Sequence, residues 1–277
     1  MDYLQAAVLG LVQGLTEFIP VSSTAHLRIV PSLLGWQDPG TAFSAVIQLG
    51  TLVAVLVFFW KDLWKLGSAA VGALFSAKVR QSPEARLAWA IALGNVPVAV
   101  LGLSFKDFIE TEARSLFVIA AMLGLVALGL WFAERRSQRA PAQLEMKALG
   151  WKRVLAVGGF QALALLPGAS RSGSTIMGGL LLGMHRAEAA RFSFLLGVPA
   201  ILGSGLFELK SLMETPLLSE GGWGVLMAGL VAAAISGYLS IGFLLRYLSQ
   251  HSTTVFVVYR LLLGAVVAGL AGWGLIA

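Results

Sequence analysis

Long apolar runs dominate the chain and are broken at intervals by short polar stretches. Runs near twenty residues occupy positions 43–60, 87–105, 115–132, 192–209, 223–245 and 255–276. Each is about long enough to cross a hydrocarbon layer of ~30 Å as an α-helix, so six transmembrane helices are predicted. Two further apolar segments, 6–18 and 154–166, are too short to span comfortably alone, and each halts at proline: Pro20 in the first, Pro167-Gly168 in the second. Proline cannot continue a helix, and the hydroxyls that follow compete for backbone hydrogen bonds. The apolar pattern resumes at Leu27 and at Ile176. Each segment therefore reads as a re-entrant helix-loop-helix that dips from one face, with its loop buried in protein or lining a wet cavity.

Composition sharpens the class. The chain has 277 residues, 57% hydrophobic and 12% charged, with a mean hydropathy of +0.82. That is too apolar for a soluble domain, and the expected fold is an all-α integral membrane protein, one membrane domain over 1–277. Met1 and Asp2 precede the first apolar segment without a basic region or a small-residue cleavage site, so no removable signal peptide is expected. The absence of cysteine excludes disulfides and thiolate chemistry. The net charge of +6 would suit nucleic acid, but its placement argues otherwise. Lys61, Lys65, Lys78, Arg80 and Arg86 fall in one connection, and Arg135, Arg136, Arg139, Lys147, Lys152 and Arg153 in another. Both are expected on the cytoplasmic side, with no nucleic-acid partner.

The connection 106–114 carries Asp107, Glu110 and Glu112, and 210–222 has a single basic residue, so both belong outside. Two triplets of spans with opposite orientation result. Aligning Phe43-Ser44 with Phe192-Ser193 brings Lys61 opposite Lys210, and a Pro- and Ser-rich segment precedes each triplet. The expected organisation is an inverted repeat: 1–133, a basic cytoplasmic linker 134–153, and 154–277. Such repeats place binding sites near the midplane, where broken helices meet.

The polar segments carry the candidate chemistry, since polar groups at membrane depth are costly. In "PGASRSGST", Gly168 and Gly173 permit backbone conformations that gather N–H groups, while Ser170, Ser172, Ser174 and Thr175 add hydroxyls. That describes an anion cradle, and Arg171 supplies a planar fork that matches phosphate oxygens. In "GLTEFIPVSSTAH", Gln13, just upstream, and Glu17 are four apart on one helix face, and Ser22, Ser23 and Thr24 lead to His26. Glu, His, Ser and Arg in two mirrored loops are the parts for phosphoryl transfer. Ser23 and His26 are three apart, which suits Ser23 as nucleophile and His26 as its base; direct attack by His26 uses the same residues. Glu17 is then placed to orient the imidazole or protonate the leaving phosphate. Arg260 sits five residues into the last span, either at the site or snorkelling to the cytoplasmic face. Arg28 and Arg191 read as interfacial, Glu208 and Lys210 as mutual partners, and Trp36, Trp60, Trp64, Trp151 and Trp223 as interface anchors.

"QGLTEFIPVSSTAH" and "LPGASRSGST" resemble the two signature segments of the bacterial undecaprenyl-pyrophosphate phosphatases, also called bacitracin-resistance proteins, and "FSFLLGVPA" and "VYRLLLGA" resemble further stretches of that family. The resemblance covers essentially the whole chain. It implies removal of the terminal phosphate of undecaprenyl pyrophosphate in the bacterial cytoplasmic membrane, recycling the lipid carrier for peptidoglycan and other envelope polymers. It also implies six transmembrane helices with re-entrant pairs in an inverted repeat. Carried over by motif, Glu17, Ser23, His26, Ser170, Arg171 and Thr175 take catalytic or phosphate-binding positions. The expected catalytic set is Glu17, Ser23, His26 and Arg171; the expected phosphate-binding set is Gln13, Ser22, Thr24, Gly168, Ser170, Ser172, Gly173, Ser174 and Thr175. The chain departs from the family pattern at Gln13, where many members have a second glutamate, and at Ala25, where glycine is usual. The resemblance implies a divalent cation, Mg²⁺ or Ca²⁺, but glutamine is a poorer ligand for it than a carboxylate, so the metal is expected to arrive with the pyrophosphate. The expected partners are the lipid pyrophosphate and membrane lipid; homo-oligomerisation is left open.

Two alternatives stand beside this reading. The lipid phosphatases with an SRxxxxxH signature do not fit, because Met177 occupies the histidine position. A transporter of anions or lipid phosphates shares the repeat architecture, and only the site separates the two.

Overall fold

The computed structural model describes residues 1–139, 144–146, 149–214 and 222–276. Among these it is all-α. Helix α1 (Tyr3–Phe18) opens on a capping box in which Asp2 and Gln5 satisfy each other's backbone N–H groups. It is followed by α2 (Ser23–Leu34), α3 (Gly40–Phe58), α4 (Trp60–Phe75), α5 (Ala77–Arg80), α6 (Pro83–Gly94) and α7 (Val96–Ser104). The short α8 (Lys106–Glu110) and a 3₁₀ turn (Glu112–Arg114) lead into α9 (Leu116–Gln138). The second half consists of α10 (Trp151–Ala162), α11 (Arg171–Leu181), α12 (Arg186–Met213), α13 (Trp223–Gln250) and α14 (Thr254–Gly272).

Among the described residues, six helices or helix pairs are long and apolar enough to cross a membrane: 40–58, 83–104, 116–138, 186–213, 223–250 and 254–272. They match the six predicted runs with shifted ends, and the chain is a multi-pass membrane protein. The second span is broken, because Pro97 has no N–H and the helix restarts after Asn95. The stretch after Lys61, read from sequence as a basic connection, holds α4, which buries Leu66 and Ala73 and leaves Trp60, Trp64 and Phe75 exposed. Residues 134–138, assigned to the linker, continue α9. There Glu134 is buried and accepts from Arg186 and from the Thr253 hydroxyl and N–H. Much of the remaining linker, including Pro141 and Lys147, and much of the 210–222 connection lie outside the described residues.

The two predicted helix-loop-helix segments are α1–α2 and α10–α11. Helix α1 lies along α13, and α10 lies along α6 and α7. Both contacts depend on small residues, which let backbones approach closely. A Cβ on Gly10 would collide with the carbonyl oxygen of Gly229, and one on Gly158 would collide with that of Gly94. Helix α3 packs against α12 and α13, and α9 against α14 and α11, which places the two hairpin loops together inside the bundle.

Candidate active site

The loop of each hairpin turns through a serine in a sparsely populated backbone region: Ser22 with φ 77° and Ser170 with φ 72°. Such a conformation costs ~1–3 kcal/mol at a residue with a Cβ. Each serine offsets part of that as a helix N-cap. Ser22 Oγ accepts from the N–H of Ala25, and Ser170 Oγ from that of Gly173. The turn then delivers the next residue, Ser23 or Arg171, to the first position of its helix. Gly168 has φ +94°, and a Cβ there would overlap the Ile119 carbonyl, so no other residue fits this close approach.

The two delivered side chains meet at Glu17. Ser23 Oγ donates to Glu17 Oε2 at 2.6 Å, and Gln13 Nε2 donates to the same oxygen at 2.9 Å. Arg171 donates from Nε and Nη2 to Glu17 Oε1 at 3.3 and 3.1 Å, and from Nη1 to the Ser193 carbonyl at 3.0 Å. Glu17 is thus a buried carboxylate with both oxygens engaged, its charge balanced by one arginine. A hydroxyl on a carboxylate at 2.6 Å is a serine set up to lose its proton.

These groups line one end of a cavity of ≈ 530 Å³, mostly apolar, to which Glu17, Ser23, Thr24, Ser170 and Arg171 all contribute. Its volume is in the range of small-ligand sites. Sequence reasoning missed the amides on the same walls, Gln48, Asn95 and Gln161. Gln161 Nε2 donates to Asn95 Oδ1, and Asn95 Nδ2 to the carbonyls of Ile91 and Leu196. A usable signal existed: Gly10, Gln13 and Ser22 recur with identical spacing as Gly158, Gln161 and Ser170. The amide oxygens of Gln13 and Gln161 are both buried without a protein partner.

Several predicted roles move. His26 is not hydrogen-bonded to Ser23: its Nδ1 is 2.7 Å from the Ser22 carbonyl and its Nε2 is 2.7 Å from the Tyr259 hydroxyl. Three-residue spacing puts the pair on one helix face, but the ring turns toward α14 and does not line the cavity. The cradle is also smaller than expected. Ser172 Oγ donates to the carbonyls of Glu17 and Ile19, Thr175 Oγ1 donates to that of Arg171, and Ser174 Oγ is buried without a partner. Helical rotation turns these three hydroxyls into packing between the hairpins and α12. Thr24 bridges the loops, 3.1 Å from Ser22 Oγ and at a long 3.5 Å from the Gly168 N–H.

Arg260 neither snorkels nor touches the cavity. It is fully buried and donates to five backbone carbonyls: Pro20 from the first loop, Gly168 and Ala169 from the second, and Met122 and Leu123 of α9. One guanidinium therefore fixes both loops. Glu208 pairs with Lys106 rather than Lys210, and Arg191 with Asp62. Gly197 of α12 was also unread: a Cβ there would overlap the Arg171 guanidinium, so glycine leaves the room in which that side chain lies.

Comparison with known proteins places these residues in a family. The family model described as bacitracin resistance protein BacA matches residues 6–266. A protein of Chlorobium chlorochromatii named undecaprenyl-diphosphatase is 48% identical, with 100% of this chain and 99% of the relative covered. Relatives with the same name from Chlorobium phaeovibrioides and Chloroherpeton thalassium are 49% and 47% identical, over 95% and 99% of this chain and 95% and 98% of their own lengths.

Proposed function

The chain belongs to the bacitracin resistance protein BacA family, and from that premise we infer that it is an undecaprenyl-diphosphatase, hydrolysing undecaprenyl pyrophosphate to undecaprenyl phosphate and orthophosphate. The observation that carries the reading is the meeting of Ser23, Glu17 and Arg171 at the end of an apolar cavity. A carrier needs a cradle for phosphate but no hydroxyl poised on a carboxylate, so the transporter alternative leaves the Ser23–Glu17 contact without a purpose.

The chemistry follows from the contacts. Ser23 Oγ attacks the terminal phosphorus while its proton passes to Glu17, which replaces His26 as base. The bridging P–O bond breaks, and the lipid monophosphate departs with the bonding electron pair. Arg171 shifts part of its fork from Glu17 to the phosphoryl oxygens as Glu17 becomes neutral, which strengthens its hold on the transition state. Glu17 hands the serine proton to the departing lipid phosphate and is again a carboxylate. Water then attacks the phosphoserine, Glu17 takes the water's proton and returns it to Ser23 Oγ as the serine O–P bond breaks, and orthophosphate is released. His26, tied to Tyr259 and the Ser22 carbonyl, holds the turn. Gln13 orients Glu17.

The residues present do not form a protein-held cation site. Among the described residues the cavity is lined by two carboxylates, Glu17 with both oxygens engaged and Glu208 paired with Lys106, and no three metal-ligating side chains gather. The proposed reaction is therefore routed through protein groups alone, and a divalent cation belongs with the pyrophosphate rather than the chain. On the loop charges, we place 61–86 and the 134–153 linker in the cytoplasm of a bacterial cell and the cavity mouth outside. The matched hairpins support an inverted repeat. The deciding assay is orthophosphate release from undecaprenyl pyrophosphate by purified protein. No release, with lipid exchanged intact across liposomes, would replace this reading with the transporter.

A further inference from the structure

The apolar stretch of α9 runs from Leu116 to Ala133, and at ~1.5 Å per residue it rises about 27 Å, close to the thickness of a hydrocarbon layer. The turns at its C-terminal end therefore stand at headgroup level. There Trp131, Arg135 and Arg139 follow at four-residue spacing, with Phe132 and Arg136 beside them, so five side chains share one helix face. All five are exposed, and together they line one open concavity. The Arg135 guanidinium lies over the Trp131 ring, 5.4 Å from its centroid. Among the described residues no carboxylate pairs with any of the three arginines. Glu134, next in the chain, is buried in the bundle and accepts from Arg186, Gln138 and Thr253, and Glu145 is exposed without an ion pair to them. The arginines near the start of α12 differ in this respect, since Arg186 is held by Glu134 and Arg191 by Asp62.

We propose that this face of α9 is a binding site for an anionic phospholipid, with the headgroup phosphodiester held by Arg135, Arg136 and Arg139 and the start of an acyl chain lying on Trp131 and Phe132. Each half of the face matches one half of that ligand. Phosphodiester oxygens fit guanidinium forks, and arginines clustered just beyond the end of a span meet anionic headgroups at that depth. The two aromatic rings sit where headgroup gives way to hydrocarbon. A soluble phosphate would satisfy the arginines and leave both rings without a partner, whereas a phospholipid covers both. Because the adjacent Glu134 ties α9 to Arg186 of α12 and to Thr253 at the start of α14, a lipid on the outer face braces the same helix end from the opposite side. The site makes no use of Ser23, Glu17 or Arg171 and is independent of the phosphatase reading.

The test must separate a built site from mere positive charge. Full-length protein in detergent micelles is titrated with phosphatidylglycerol or with phosphatidylcholine of the same acyl chains, and bound lipid is counted by native mass spectrometry. Phosphatidylglycerol should fill one saturable site at least ~10-fold more tightly than phosphatidylcholine. Arg135→Gln, Arg136→Gln and Arg139→Gln should each weaken that site about fivefold, and Trp131→Ala about threefold. The combined Arg135→Lys, Arg136→Lys and Arg139→Lys variant keeps every charge but loses the forks, and it should also bind at least ~5-fold more weakly. Lys61→Gln with Lys65→Gln removes charge from the other basic connection and should change nothing. Wild-type affinity in the triple lysine variant, equal affinity for the two lipids, or equal weakening by the Lys61 and Lys65 changes overturns the proposal. So does displacement of the lipid by millimolar glycerol 3-phosphate with no effect of Trp131→Ala, which assigns the face to a soluble phosphate. All five side chains are exposed, so the variants should unfold at the wild-type temperature in phosphatidylcholine, and only wild type should gain stability when phosphatidylglycerol is added. An equal gain in the triple lysine variant refutes the site by a second route. No turnover is read in any of these measurements, so the result stands apart from the phosphatase assay.

Discussion

In the α1–α2 hairpin the buried amide of Gln13 is donated to a carboxylate four residues further on; in α10–α11 the amide of Gln161, at the matching position, is donated to Asn95 of a different helix junction. Both hairpins use a glycine to approach a neighbouring helix, a strained serine as N-cap, and the next residue as the group presented to the cavity. What differs is that residue, and the residue four after the glutamine. The first hairpin has Ser23 and Glu17; the second has Arg171 and Leu165. The same backbone thus presents a nucleophile with its base from one side and an anion clamp from the other. Each hairpin alone would bury an uncompensated charge, Glu17 or Arg171, at a cost of several kcal/mol. Together they neutralise it, so the site can form only when both loops meet.

The sharpest test of that division is Ser23→Ala against Ser22→Ala. Loss of the nucleophile should reduce turnover by at least ~10³-fold and abolish any trapped phosphoenzyme. Loss of the cap should cost ~1 kcal/mol of stability and leave a phosphoenzyme that can be trapped. A phosphoenzyme that survives Ser23→Ala and is acid-labile and base-stable identifies phosphohistidine and returns His26 to the centre.

Arg260 is shared between the hairpins, so its loss should act on both. Arg260→Lys keeps a charge but cannot serve five carbonyls, and thermal unfolding should report a loss of about 3 kcal/mol. Cysteines placed at Ser22 and at Ser170 should gain labelling together in that background. Gain at only one would show that the loops are held independently.

Within the second hairpin, Arg171→Lys removes the fork while keeping the charge, and kcat/KM should fall at least ~10-fold, about 1.4 kcal/mol. Gly197→Ala should act on the same group from behind, displacing the guanidinium and lowering kcat ~10-fold with little change in unfolding temperature. Gly124→Ala, where nothing lies within 4 Å of the added Cβ, serves as the control. Equal activity in the two alanine variants would show that Arg171 adjusts freely.

How much of this could be read beforehand follows from what each feature depends on. The six spans and the two interrupted segments rest on local hydropathy and proline, and they were legible to within a few residues. Glu17, Ser23 and Arg171 were legible because polar groups in an apolar stretch are costly and need a reason. The pairing was not: whether Ser23 faces Glu17 or His26 depends on helical rotation and on Tyr259, 233 positions from His26. Arg260 has the same reason. Nothing local distinguishes an arginine that snorkels from one that ends on carbonyls of two distant loops. Gln161 was recoverable only by comparing the hairpins with each other, since an amide alone in an apolar segment carries no assignment.

The smallest effect concerns how each hairpin's second helix is anchored. The segment after α11 is tied by backbone, through the Leu144 N–H to the Gly183 carbonyl, and by two carboxylates, Glu188 accepting from the Met146 N–H and Glu134 from Arg186. The α2 side uses a titratable latch, with Asp38 between Arg28 and Arg114. Burial alone would push the Asp38 carboxyl up, but hydrogen bonds from Arg114 and the Gly40 N–H, with the charges of both arginines, hold it below its ordinary value. A carboxyl lowered in the folded state contributes stability that is complete above its unfolded pKa, near ~3.9, and is lost as pH falls through the lower folded value. With side chains 21% and 30% exposed, the contribution is ~1 kcal/mol or less. Wild type should therefore unfold slightly above Asp38→Asn at neutral pH, and the gap should close as the pH falls below ~3.9. A gap that stays constant with pH would mean that Asp38 acts through shape rather than charge, and that the α2 side is held differently from the carboxylate-tied segment after α11.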